Sequence, residues 1–128
     1  MIDRMKLSEE SILRMISSLV IDRDMPDTVS EIIETKKREN GLVVNKVRVP
    51  LGVLGVIFES RPNVVIEIAS LAIKSGNGLV MRGGKDCILT NLYLFKLVKE
   101  SLSESGINED SMYSVSYTHL TLPTNREV

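Results

Sequence analysis

Histidine and cysteine are almost missing from this 128-residue chain, which has one of each, His119 and Cys87. A lone cysteine cannot close a disulfide within the chain, and the pair cannot build a Cys/His zinc site, so no metal is expected. Tryptophan is absent and aromatic residues make up 4% of the chain, which leaves no platform for stacking bases. Neither sign of charge dominates: 16 Lys and Arg oppose 17 Asp and Glu, for a net charge of -1. Phosphate backbones require clustered excess positive charge, so no nucleic-acid partner is expected. Long apolar runs are missing as well. The longest, residues 51–58, includes Gly52 and Gly55 and is far shorter than the ~20 residues of a membrane-spanning helix. No membrane partner is expected. Residues 1–15 carry Asp3, Arg4, Lys6, Glu9, Glu10 and Arg14, so no signal-peptide core is legible and the expected location is cytoplasmic.

What is present is the material of an ordinary folded domain. Hydrophobic residues account for 43% and charged residues for 26%, outside the range of disordered chains. A chain of this length suits about one domain and buries roughly two thirds of its unfolded surface.

Periodicity predicts the elements. Ser8 is a candidate N-cap, and Ile12, Ile16, Leu19 and Val20 form one face of a helix running to about Asp22. Pro26 marks a loop. Residues 30–37 have β character at Ile32, Ile33 and Thr35, and Asn40-Gly41 favours the positive φ values of hairpin turns. Residues 42–49 alternate, with Val43, Val47 and Val49 on one face and Lys46 and Arg48 on the other. The result is a two-stranded hairpin over residues 31–49 with an apolar face that needs another surface. Residues 53–58 form a nearly continuous apolar run, expected for a strand buried on both faces. Asn63 is the expected N-cap of a helix whose stripe is Val64, Val65, Ile68, Ala69, Ala72 and Ile73. Leu79, Val80 and Met81 read as a second buried strand. A long helix follows, carrying Leu89, Leu92, Phe95, Leu97 and Val98, with Gly106 as its C′ residue. Residues 111–113 start a third strand. The fold class is therefore α/β, a parallel βαβα unit with a right-handed crossover.

In open parallel sheets, ligands gather beyond the carboxyl ends of the strands. Two loops hold that position, residues 59–63 with Arg61, and residues 82–86 with Arg82, Gly83, Gly84 and Lys85. Each feeds a helix N-terminus, which favours anions. The spacing matches neither a dinucleotide G-x-G-x-x-G fingerprint nor a P-loop. Two readings stand side by side. One is anion binding at both loops; the other is a tight turn at Gly83-Gly84 with a solvated Arg61. Cys87 sits near a helix start without a histidine partner and reads as structural. The Lys36-Lys37-Arg38 cluster, flanked by Glu34 and Glu39, reads as a solvated hairpin tip. The six methionines are scattered core or loop residues, not a cofactor box.

The segment Lys46-Val47-Arg48-Val49-Pro50-Leu51-Gly52-Val53-Leu54-Gly55-Val56-Ile57-Phe58-Glu59-Ser60-Arg61-Pro62-Asn63 resembles the gamma-glutamyl phosphate reductase branch of the aldehyde dehydrogenase superfamily. The likeness continues through residues 68–78, Arg82-Gly83-Gly84-Lys85 and Asn91, and covers essentially residues 1–114. It implies a Rossmann-like parallel unit of the superfamily's cofactor domain, with residues 31–49 as a projecting oligomerisation arm. It also implies NADPH-dependent reduction of L-glutamyl 5-phosphate to the semialdehyde, with release of phosphate, in proline synthesis. The family's nucleophilic cysteine lies downstream, on a motif that Cys87 does not match. The chain is thus expected to be an internal fragment without the nucleophile, inactive alone. By resemblance, Arg82, Gly83, Gly84 and Lys85 are cofactor residues, with Lys85 meeting the 2′-phosphate of NADPH as a point charge. Arg61 and Ser60 are substrate residues, and Asn63 is the donor to a developing oxyanion. Bifunctional pyrroline-carboxylate synthases and other acyl reductases of the superfamily carry similar motifs. A non-catalytic nucleotide-binding module is a further reading.

Residues 115–128 break the pattern. They have no helical period and no alternation, and Val-Ser-Tyr-Thr-His-Leu back-translates to the mosaic end of a transposon-based sequencing adapter. This stretch resembles the translation of such an adapter and is expected to be non-native, which removes His119 as a candidate base or ligand. The competing reading is a native surface tail. On the adapter reading, residues 115–128 make few contacts, and hydrogen exchange should find no strong protection across residues 118–124.

Overall fold

The structure, a computed structural model, describes residues 6–116. Helix α1 spans Glu9–Asp24, and the Ser8 side chain accepts a hydrogen bond from the Ser11 amide at 3.2 Å, as the sequence predicts. The face that packs on the next helix is not the apolar stripe, however. Met15 and Asp22 are buried, whereas Ile12, Ile16, Leu19 and Val20 are each at least 40% exposed. Among the described residues that stripe is only partly covered, with Leu19 at the edge of a hollow shared with Ile66, Ala69 and Leu102.

Strands β1 (Ile32–Lys37) and β2 (Val43–Val47) form the antiparallel hairpin, with Thr35 opposite Asn45 and Lys37 opposite Val43. The turn differs in detail from an Asn-Gly two-residue loop. The Arg38 amide bonds to the Leu42 carbonyl at 2.8 Å, which leaves three residues in the loop. Only Gly41 takes a positive φ, 88°, so this is the three-residue hairpin in which a glycine occupies the left-handed position. Both faces of the hairpin are exposed along its whole length, and it projects as an arm.

The remaining elements form the body: β3 (Val53–Ile57), α2 (Asn63–Lys74), β4 (Gly78–Arg82), α3 (Ile88–Glu104) and β5 (Met112–Ser114). The strands are parallel in the order β3-β4-β5, with Leu54 beside Leu79 and Leu79 beside Met112. Crossovers of one hand that always step in the same direction put both helices on one face of the sheet. That is what the core records. Val65, Ala69 and Ala72 of α2 and Leu94, Phe95 and Leu102 of α3 close over Leu79, Met81 and Met112. The buried face of α3 begins at Asn91, and the leucines that mark its sequence pattern, Leu89, Leu92 and Leu97, are exposed.

The expectation that β3 is buried on both faces is therefore corrected. Leu54 and Val56 pack against the core, but Val53 is 74% and Ile57 is 72% exposed, on the face that neither helix covers. The N-cap of α2 is Pro62 rather than Asn63, which is the helix's first residue. Gly106, at φ 75°, ends α3 as predicted. Residues 117–128, and with them most of the adapter expectation, lie outside the described residues. Val115 still extends the ladder, donating its amide to the Met81 carbonyl at 2.8 Å. No helix among the described residues is long and apolar enough to cross a membrane.

One-sided packing predicts unequal costs of truncation. Leu79→Ala, at a position 1% exposed, should cost about 2–5 kcal/mol in denaturant unfolding. Val53→Ala, on the open face, should cost less than about 1 kcal/mol in this chain. Equal losses would show that the second face is covered too.

Candidate functional site

Strand pairing brings the two candidate loops together. The β3-β4 ladder runs one step past β3, where the Phe58 amide bonds to the Arg82 carbonyl at 3.0 Å. The loops that follow then leave the same end of the sheet side by side. Between them lies a cleft of about 600 Å³, within the usual range for small-molecule sites. Ser60 and Arg61 line one wall, and Arg82, Gly83, Gly84 and Lys85 the other. Glu59 and Asp86 also face it, so three cations stand against two acids. Arg61 and Lys85 are exposed, and Ser60 and Arg82 are half-buried.

The two glycines are there because the loops touch. A Cβ on Gly84 would lie 2.5 Å from Ser60 Oγ and 3.0 Å from the Ser60 amide nitrogen. A Cβ on Gly83 would lie 2.1 Å from Asn91 Nδ2 and 3.0 Å from the Phe58 ring. Only glycine allows this approach. A 3₁₀ turn, Lys85–Cys87, leads into α3. The N-caps of α2 and α3, Pro62 and Cys87, make no side-chain capping hydrogen bond, and neither first turn holds an acid. Main-chain carbonyls take part of each end: the Val64 and Val65 amides bond to the Arg61 and Pro62 carbonyls, and the Ile88 amide to the Lys85 carbonyl.

The structure thus gathers Ser60, Arg61, Arg82, Gly83, Gly84 and Lys85 at one cleft. Asn63 stands apart. Its Nδ2 donates to Glu67 Oε1 at 3.2 Å, and it lines a separate hollow of about 200 Å³ beside α1. Cys87 is 3% exposed, in keeping with the structural reading. Among the described residues no cluster of His, Cys, Asp and Glu could hold a metal ion.

Two buried asparagines were assigned no role from sequence. Asn77 accepts the Gly52 amide at 2.9 Å and donates to Ser75 Oγ at 2.7 Å, tying the start of β3 to the turn before β4. Asn91 is 5% exposed and sits under Gly83. Its position on the stripe with Leu94, Phe95, Val98 and Leu102 was the available signal, a polar residue where a helix faces the core.

The crowding at Gly83 makes a prediction. Gly83→Ala should lower stability by about 1–3 kcal/mol, since the neighbours cannot move apart without strain. Gly55→Ala has no atom within 4 Å of the new Cβ and should change stability by less than about 0.5 kcal/mol. Denaturant midpoints of the two variants would test the contrast.

No family model matches the chain. Individual proteins do. A gamma-glutamyl phosphate reductase of Caldicellulosiruptor bescii is 42% identical over 118 residues, which is 92% of this chain and 28% of that protein. One from Thermodesulfovibrio yellowstonii is 45% identical over 109 residues, 85% of this chain and 26% of that protein. Among solved structures, the gamma-glutamyl phosphate reductase of Thermotoga maritima superposes with a TM-score of 0.88 at 39% identity, covering 91% of this chain and 28% of that one. The Saccharomyces cerevisiae structure of the same name gives a TM-score of 0.80 at 30% identity, covering 87% and 29%. The chain spans little more than a quarter of the length of these relatives. In sequence and in the packing of its strands and helices, it belongs to the gamma-glutamyl phosphate reductase family.

Proposed function

We propose that this chain is the cofactor-binding segment of a reductase that converts L-glutamyl 5-phosphate to L-glutamate 5-semialdehyde and phosphate, with NADPH as reductant. The observation that carries this reading is the cleft between the two strand ends, with Arg61, Arg82 and Lys85 around it, in a chain similar to reductases of that name. The residues present suit NADPH. The cleft has cations for phosphate groups and a glycine pair that forms part of the wall. Bound NADPH supplies a hydride; the protein's part is to hold and orient it.

Lys85, exposed at the rim, meets the 2′-phosphate as a point charge, and Arg82 holds the neighbouring ribose. Arg61, whose guanidinium can grip an anion through two parallel N–H groups, takes a phosphate or the substrate carboxylate, with the Ser60 hydroxyl beside it. An oxyanion role for Asn63 would require its amide to leave Glu67. Acyl transfer needs a thiolate held beside the acyl carbon. Cys87 faces the core and cannot provide it, so the residues of this chain bind and orient but do not attack.

The hairpin arm fits contact with a second copy. Its valines are exposed, and an open apolar face of this kind marks an interface.

In the full-length reductase, Lys85→Ala should weaken NADPH more than NADH, because only NADPH carries the 2′-phosphate. A charge-assisted contact is worth about 1.5–3 kcal/mol, or roughly ten- to a hundredfold in the ratio of the two Michaelis constants. Equal loss for both cofactors would remove Lys85 from the 2′-phosphate. Val47→Asp on the arm should lower the particle mass in light scattering, and an unchanged mass would mean that the arm packs within its own subunit. The 128-residue chain alone should give no turnover of L-glutamyl 5-phosphate.

A further inference from the structure

The hollow of about 200 Å³ beside α1 holds charges of both signs. Glu67 reaches it from α2 and is half-buried, while Lys6 and Arg14 reach it from the other side and are exposed. Opposite charges that share a hollow normally pair, but these do not. Among the described residues the Glu67 carboxylate has one partner, the neutral Asn63 amide, which donates to Oε1 at 3.2 Å. Arg14 pairs with Glu10, on its own helix, and Lys6 makes no ion pair among the described residues. A carboxylate partly removed from water gains most from a cationic hydrogen-bond donor. The hollow therefore has a place for a positive group at Glu67 and a place for a negative group at Lys6 and Arg14.

That pattern selects a class of ligand. A bare phosphate would meet Glu67 as a like charge, and a simple amine would meet Lys6 and Arg14 in the same way. An α-amino acid group, with its ammonium and carboxylate on one carbon, satisfies both sides. The position is also suitable. Ser60 and Arg61 line the large cleft, and Pro62 and Asn63 line this hollow, so the 59–63 loop is the partition between them. A ligand whose reacting end lies at that loop can place its other end here. L-glutamyl 5-phosphate has an acyl phosphate at one end and an α-amino acid group at the other. We infer that the hollow is the subsite for the amino-acid end of the substrate, a role that rests on the reductase reading above. Glu67 receives the ammonium, and Lys6 and Arg14 receive the carboxylate. Arg61 is then left for the phosphate.

The test runs the full-length reductase in the oxidative direction, where aldehyde, phosphate and NADP⁺ give acyl phosphate, NADPH and a proton. The two aldehydes are L-glutamate 5-semialdehyde and 5-oxopentanoate, which keeps the carboxylate and lacks only the amino group. Wild-type enzyme should favour the amino aldehyde about tenfold or more in kcat/KM. Glu67→Gln is isosteric and keeps an acceptor for Asn63, and it should reduce that ratio about tenfold. Lys6→Gln combined with Arg14→Gln should raise KM for both aldehydes alike, by about fivefold, because both carry the carboxylate. A wild-type enzyme with no preference overturns the inference. So does a Glu67→Gln variant that keeps the preference or slows both aldehydes equally, and so does a double variant with wild-type KM values. Should Glu67→Gln fail to fold, the wild-type preference and the double variant decide. Wild-type enzyme that oxidises neither aldehyde would refute the reductase reading itself, whereas turnover of both with no effect of Glu67→Gln removes only the subsite.

Discussion

Everything in the body of this protein depends on β4 being the middle strand of three. Its Leu79 and Met81 are each 1% exposed, and they are the surface onto which both α2 and α3 close. Because β4 pairs in parallel on both sides, the chain must return to the same end of the sheet after each strand. Each return is a helix, and each helix begins just past a strand's carboxyl end. The two cationic loops are neighbours for that reason. The packing that stabilises the core and the juxtaposition that creates the cleft are one arrangement.

The same arrangement leaves faces open. With both helices on one side, Val53, Ile57 and Tyr113 look outward from the other. On α1, Met15 and Asp22 are buried against the body while a stripe of isoleucine, leucine and valine stays about half exposed. These surfaces and the hairpin arm are apolar in composition yet unpartnered among the described residues. A segment covering about a quarter of its relatives' length has such surfaces where a longer chain would cover them.

Much of the fold was legible in the sequence, for identifiable reasons. The hairpin follows from alternation around Asn40-Gly41, and the βαβα order from apolar runs punctuated by Gly76, Gly78 and Gly106. The cationic loops follow from the rule that parallel sheets bind ligands at their carboxyl ends. Periodicity failed where it had to choose a side. On α1 and α3 several leucines and isoleucines lie off the buried face, because a stripe in sequence shows that a face is apolar and not which partner covers it. The burial of β3 was misread for a related cause: a strand such as Val-Leu-Gly-Val-Ile looks the same whether one layer or two covers it. Asn63 looked like a cap by residue type, but Pro62, with its preset φ, starts the helix one residue earlier. Asn77 and Asn91 carry no local signature, since what makes them matter is what lies across from them in space.

Strand β3 lies at the edge of its sheet, and it is five residues long with no charge, proline or bulge. Natural edge strands carry such features to prevent further pairing. The free backbone groups of β3 are therefore available to any extended segment of similar length. In this chain that edge is the place where unprotected main-chain groups invite a further strand, whatever the net charge of the surface around it.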